Sequence, residues 1–249
     1  MEKIEHLCYN YFMSSTIINE IYPKAPLIET IFEIKFSGEP SIDCQKDKFY
    51  DKIRKDYPRI MVPRAKEGIA IALEPYLFEK EDNSFSIGLS INKLFLSCKK
   101  YQGFQVFKNE VLRVFSIFND TFKGISALNR TGLRYINIIP FAREKGTVPL
   151  KNLLNISLLL PASTSPVFKN IHISFVLQVE GGNITTRIEP VVAPDKSEAI
   201  ILDFDYAKEK PLVFNSIEQY IEESHKHTKH LFEELVTEDL KKIMRGEVV

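Results

Sequence analysis

No charge of one sign dominates this chain. Lysine and arginine number 33, aspartate and glutamate 33, over 249 residues, and the pI is near 7.0. Dedicated nucleic-acid binders mostly carry a basic excess, so the balance argues against that class and leaves only local patches to weigh. Cysteine is scarce: Cys8, Cys44 and Cys98 are odd in number and widely spaced, which gives neither a disulfide framework nor a zinc pattern. A reducing, cytoplasmic compartment is expected. No apolar run reaches the roughly 18 residues of a membrane-spanning helix, so no membrane partner is expected. The N-terminus lacks the apolar stretch and small-residue cleavage site of a signal peptide. Also missing are a P-loop, a dinucleotide fingerprint, a nucleophile elbow and an H-E-x-x-H pattern. With them goes the reason to name an enzyme, although a missing motif does not disprove one, and no metal or cofactor is expected.

What is present is an ordinary globular composition, 44% hydrophobic and 27% charged, enough to bury a sizeable core. Residues 27–36 alternate, with Ile28, Phe32, Ile34 and Phe36 apolar, which is the period of a half-buried strand. Phe49, Ile53 and Tyr57 then recur at helical spacing up to Pro58. Strands are predicted over Gly68–Glu79, Ser84–Ile91 and Leu94–Lys99, followed by a strongly aromatic helix over Phe104–Phe122. The order then restarts. A strand is predicted over Arg130–Ile139, and a short helix or turn over Pro149–Ile156. A hairpin, Asn170–Val179 with Ile184–Val192, turns across Gly181-Gly182. A strand over Glu198–Tyr206 leads to a long helix from about Asn215 to Leu235, with Asn215 or Ser216 as its cap. A last short helix is capped by Thr237.

The expected fold is α+β: a long antiparallel, curved sheet with two long helices on one face. The repeated order, β-α-β-β-β-α, predicts a pseudo-twofold built from halves of about 21–124 and 125–249 within one domain, 21–249. Residues 1–20 read as an N-terminal extension, and Met13 as an alternative start.

Two stretches carry a family resemblance: Pro26-Leu27-Ile28-Glu29-Thr30-Ile31-Phe32-Glu33-Ile34-Lys35-Phe36 and Arg130-Thr131-Gly132-Leu133-Arg134-Tyr135-Ile136-Asn137. With the closing helix around His225 and Phe232, they resemble an uncharacterised, sporadically distributed prokaryotic family of about this length. The resemblance spans roughly Ile21 to Met244, with Met1 to Ser15 as an addition. It implies an intracellular prokaryotic protein and brings no catalytic residue. Patchy distribution is common among mobile genes, including defence and toxin–antitoxin genes.

Candidate residues follow from the strands. Glu29 and Glu33 share the polar side of the first strand, and Arg130 and Arg134 one side of its counterpart. In a pseudo-twofold sheet these strands would be neighbours, and guanidinium and carboxylate would pair there. The pairing reads first as an ion-pair network joining the halves, and second as a small-anion or acid/base site including Tyr135 and Asn137. Asp203 and Asp205, and Glu189 beside Arg187, read as products of strand alternation. His225, His227 and His230 read as solvated or interface histidines, since a third ligand and an oriented second shell are wanting. Lys52, Arg54, Lys55, Arg59 and Arg64, with Lys99 and Lys100, are local basic clusters interleaved with Tyr50, Tyr57 and Tyr101. They support the alternative of a nucleic-acid-binding saddle. The leading expectation is a non-enzymatic binding or regulatory protein acting through a protein partner or homo-oligomer, with antitoxin, immunity or defence accessory as its specific form. The uncovered sheet face would be the contact surface. A third is an enzyme with an unfamiliar site near Glu33 and Arg134.

Overall fold

The computed structural model describes residues 22–64, 68, 70–158, 169–192, 196–209 and 211–247. The expected extension, 1–20, and Met13 lie outside them. The strands are β1 (Leu27–Lys35), β2 (Arg59–Met61), β3 (Tyr76–Glu79), β4 (Phe85–Ser90), β5 (Lys93–Cys98), β6 (Arg130–Phe141), β7 (Ile173–Val179), β8 (Gly182–Val192) and β9 (Glu198–Lys208). The helices are α1 (Ser41–Ile53), α2 (Phe104–Thr121), α3 (Leu150–Leu153), α4 (Ile217–Leu235) and α5 (Glu238–Arg245). All nine strands form one antiparallel sheet in the order β2-β3-β4-β5-β1-β6-β9-β8-β7. The fold is α+β, as the alternating patterns predict.

Register assigns the faces. Paired residues in an antiparallel ladder point to the same side. Phe32 sits opposite Leu96 and Leu133, Thr30 opposite Cys98 and Tyr135, and Tyr135 opposite Phe204. These side chains therefore share one face. α2 lies on it, with Phe115 against Phe32 at 5.4 Å between ring centres, and so does α4, with Phe232 against Phe204 at 6.2 Å. The buried stripe of α2, Phe107, Val111, Val114, Phe115 and Phe118, supplies much of the core of the first half. Aromatic pairs there each add about 1 kcal/mol beyond the area they remove from water. Lys108 on the same helix is nearly buried. It is held by Glu218 at 3.1 Å and Glu222 at 2.7 Å, tying α2 to α4.

Several boundaries differ from the sequence expectation for local reasons. Ile28 is exposed, because the ladder between β1 and β6 slips at Leu27/Glu29 and leaves Ile28 unpaired in a bulge; Thr30 points inward with Phe32 and Ile34 by ordinary alternation. The strand expected over Gly68–Glu79 is only β3, with Ile71–Leu73 a 3-10 turn ahead of it. The three-residue edge strand β2, Arg59–Met61, was not expected at all, its pattern being too short to register. The β7–β8 hairpin turns on Glu180-Gly181, with Gly181 at φ 82°, and not on Gly181-Gly182. Gly182 already pairs with Val179, and a Cβ there would meet the Ala207 carbonyl at 2.5 Å. α4 starts at Ile217 after a 3-10 turn, and its Ser216 cap donates and accepts no capping bond through its side chain. Thr237 caps α5 as expected, its Oγ1 accepting from the Leu240 N–H at 3.2 Å.

Candidate functional site

The sheet carries two different chemistries on its two faces. The first is the charged face away from α2 and α4. Arg130, at the start of β6, donates to Glu33 at 3.0 Å and to both carboxylate oxygens of Asp205 at 3.1 Å. Arg134 makes a two-point bond to Asp203 at 2.8 Å, and Arg187 reaches the same carboxylate at 3.2 Å. Glu29 does not reach either arginine; the Ser97 hydroxyl donates to it. The expected pairing of β1 acids with β6 arginines therefore holds for Glu33 and Arg130. Arg134 goes instead to β9, because the register sets Arg134 beside Asp205 and Ile136 beside Asp203. Burial outweighs the neighbouring guanidiniums at Asp205, holding its carboxyl above the usual range. The network satisfies its own charges, and the centre of this face is polar.

The second chemistry is on the helix-covered face. Tyr135 and Asn137, two of the residues expected near the arginines, point the other way by strand alternation. They line a cavity of about 460 Å³ between the N-terminal end of α2 and the middle of α4. Its walls are mainly aromatic: Tyr101, Phe104, Tyr135, Phe204 and Phe232, with Leu27 at the start of β1. His225 of α4 stacks face to face on Phe104, 3.8 Å between ring centres and 7° from parallel. Its Nδ1 lies 2.8 Å from the Tyr135 hydroxyl. Burial, with help from the Lys229 charge, pushes the His225 imidazole down to about 4. Burial likewise lifts the Tyr135 hydroxyl well above its ordinary value and brings Tyr101, whose ring meets Tyr135 edge-on, up to about 12. Both partners of the Tyr135–His225 contact are thus neutral at pH 7. With the tyrosine donating to Nδ1, the imidazole N–H sits on Nε2. Asn137 is spent on the fold, donating to the Leu202 carbonyl at 3.0 Å.

The other expected groups are scattered. His227 stacks on Tyr206, 6.0 Å between centres, and among the described residues no cluster of His, Cys, Asp and Glu is arranged for a metal. Of the basic residues, Lys52 donates to the Thr121 hydroxyl at 3.0 Å, Arg54 pairs with Asp51, and Arg59 pairs with Glu79 at 2.9 Å. Lys55, Arg64, Lys99 and Lys100 are exposed. Tyr57 is buried, its hydroxyl donating to Glu110 at 2.6 Å, so it offers no face to a base. Sequence reasoning did not find Gly103–Val106, Thr228 or Lys229 as cavity residues. The signal available was a glycine before a long aromatic helix whose first turn holds no acid.

No protein-family profile matches this chain, and no curated protein shows significant similarity to it. Among the described residues, no helix is long and apolar enough to cross a membrane.

Proposed function

We propose that this is a non-enzymatic binding protein whose cavity between α2 and α4 holds a small molecule. The observation that carries the reading is the cavity itself: about 460 Å³, walled by aromatic rings, with a few polar groups converging on it. That size and composition are those of a ligand pocket, roughly 300–1,000 Å³ and mostly apolar. The stacked and hydrogen-bonded His225 is a fixed wall. It is tuned to stay neutral, which suits binding.

The position of the cavity supports the internal-repeat reading of the fold. The orders β3-β4-β5-β1 and β7-β8-β9-β6 match outward from the central β1–β6 pair. Each long helix follows its own half's last strand, and the cavity opens where the two helices meet.

Fluorescence titration with the neutral apolar dye N-phenyl-1-naphthylamine tests the binding reading. Saturable binding at one site is expected. Val106→Trp, at an exposed position on the cavity rim, is expected to abolish it with the circular dichroism unchanged. Dye binding that persists undiminished in that variant would contradict the reading.

Contact with another protein is a second reading, favoured by one observation. Ile60, Met61, Val62, Ile71 and Leu73 are all exposed around the edge strand β2. An unpaired apolar edge is a site for strand addition or self-association. Light scattering on the wild type and Val62→Lys tests it, with loss of association in the variant as the expected result.

A further inference from the structure

The polar groups that line the cavity have a composition that selects one kind of head group. α2 is preceded by Gly103 at φ 107° and ψ 160°, a conformation open to glycine and strained for other residues. No side chain caps the helix there, and its first turn holds no acidic residue. The first bond of the ladder runs from the Phe107 N–H to the Gly103 carbonyl at 3.2 Å. The amides of Phe104, Gln105 and Val106 therefore have no acceptor within the helix, and all three residues line the cavity.

α4 contributes the remaining groups. Thr228 lines the cavity, is 1% exposed, and its hydroxyl has no hydrogen-bond partner among the described residues. Lys229 beside it lines the same space, and its ammonium forms no ion pair among the described residues. Glu233 also borders the cavity, but its carboxylate is engaged by the Tyr22 hydroxyl at 2.8 Å and by Lys241 at 3.6 Å. A helix start, an ammonium and a buried hydroxyl without an acceptor thus line one cavity whose other walls are largely apolar.

We propose that the ligand is a small monocarboxylic acid with a flat, apolar body. Its carboxylate meets the α2 amides and Lys229, and gains the Thr228 hydroxyl when that buried side chain turns toward the cavity. Its body lies against Phe104, Phe204 and Phe232. This rests on the cavity being a ligand site. The choice of one negative charge rests on Glu233: the helix start and Lys229 together supply about one and a half positive charges, but the Glu233 carboxylate borders the same cavity and disfavours the second negative charge that a phosphate monoester would bring.

The test is competition against N-phenyl-1-naphthylamine on the full chain, using 2-naphthoate, 2-naphthalenemethanol and 2-naphthyl phosphate. The naphthoate is expected to displace the dye about tenfold more tightly than the alcohol. Lys229→Gln and Gln105→Glu are each expected to weaken the naphthoate about three- to tenfold more than they weaken the alcohol or the dye. Gln105→Glu adds an acid to the first turn of α2, which favours the helix, so its loss of binding would not be a folding defect. Equal affinity for acid and alcohol, or indifference to both variants, would overturn the monoacid proposal and leave the cavity reading standing. Tighter binding of the phosphate would overturn the choice of head group. Failure of the neutral dye to bind at all would defeat the cavity reading and this proposal with it.

Discussion

Acidification should weaken this protein through His225. Its imidazole is held neutral in the fold down to about 4, against an ordinary value of 6.5. The folded state therefore binds the proton later than the unfolded chain. Stability from this group is complete above pH 6.5 and is lost as pH falls from there toward 4. At about pH 5 the linkage gives a loss of about 2 kcal/mol, growing to about 3 kcal/mol below both values. Other groups titrate nearby. His227 is lowered as well and acts in the same direction. Asp205 is raised and opposes it, and Glu110, held near 2 by Arg113, Tyr57 and Lys80 against its burial, acts only in stronger acid. The comparison that isolates His225 is His225→Gln, which can still accept from the Tyr135 hydroxyl. Urea denaturation at about pH 8 and about pH 5 should show the wild type losing about 2 kcal/mol more than the variant. Parallel losses in the two proteins would refute the reasoning.

Other expectations follow from packing and pairing. Phe115→Ala removes a ring that is 2% exposed and packed on Phe32, and should lower unfolding stability by about 3–5 kcal/mol in denaturant titration. Asp203→Ala leaves Arg134 and Arg187 without their shared acceptor; the carboxylate is buried while both guanidiniums are partly exposed, so a loss of about 2 kcal/mol is expected by the same assay. Thr237→Ala removes the α5 cap and should cost about 1 kcal/mol, with faster hydrogen exchange confined to 238–245.

How much of this was legible in the sequence depended on the length over which each signal repeats. α2 and β9 carry their patterns over many residues, and both formed within a few positions of the expected ends. β2 has three residues and no period to detect. The exposure of Ile28 depends on a bulge between β1 and β6, which is a property of two strands together and cannot be read from one. The arginine network was half legible for the same reason. Pairing of Arg130 with Glu33 follows from making β1 and β6 neighbours, but Arg134 finds Asp203 only because β9 is the other neighbour of β6. The cavity was least legible. Its walls come from Pro26, Gly103, Tyr135, Phe204 and His225, which are far apart in the chain and individually read as core or surface.

The central claim is that the space between α2 and α4 is a ligand site. Nuclear magnetic resonance of the ¹⁵N-labelled full chain, titrated with N-phenyl-1-naphthylamine, tests it most directly. Saturable shifts concentrated on the amides of Gly103, Phe104, Tyr135, Asn137, Thr228 and Lys229 are the expected result. Shifts confined to the arginine face around Arg130 and Arg134, or to the β2 edge, would contradict it.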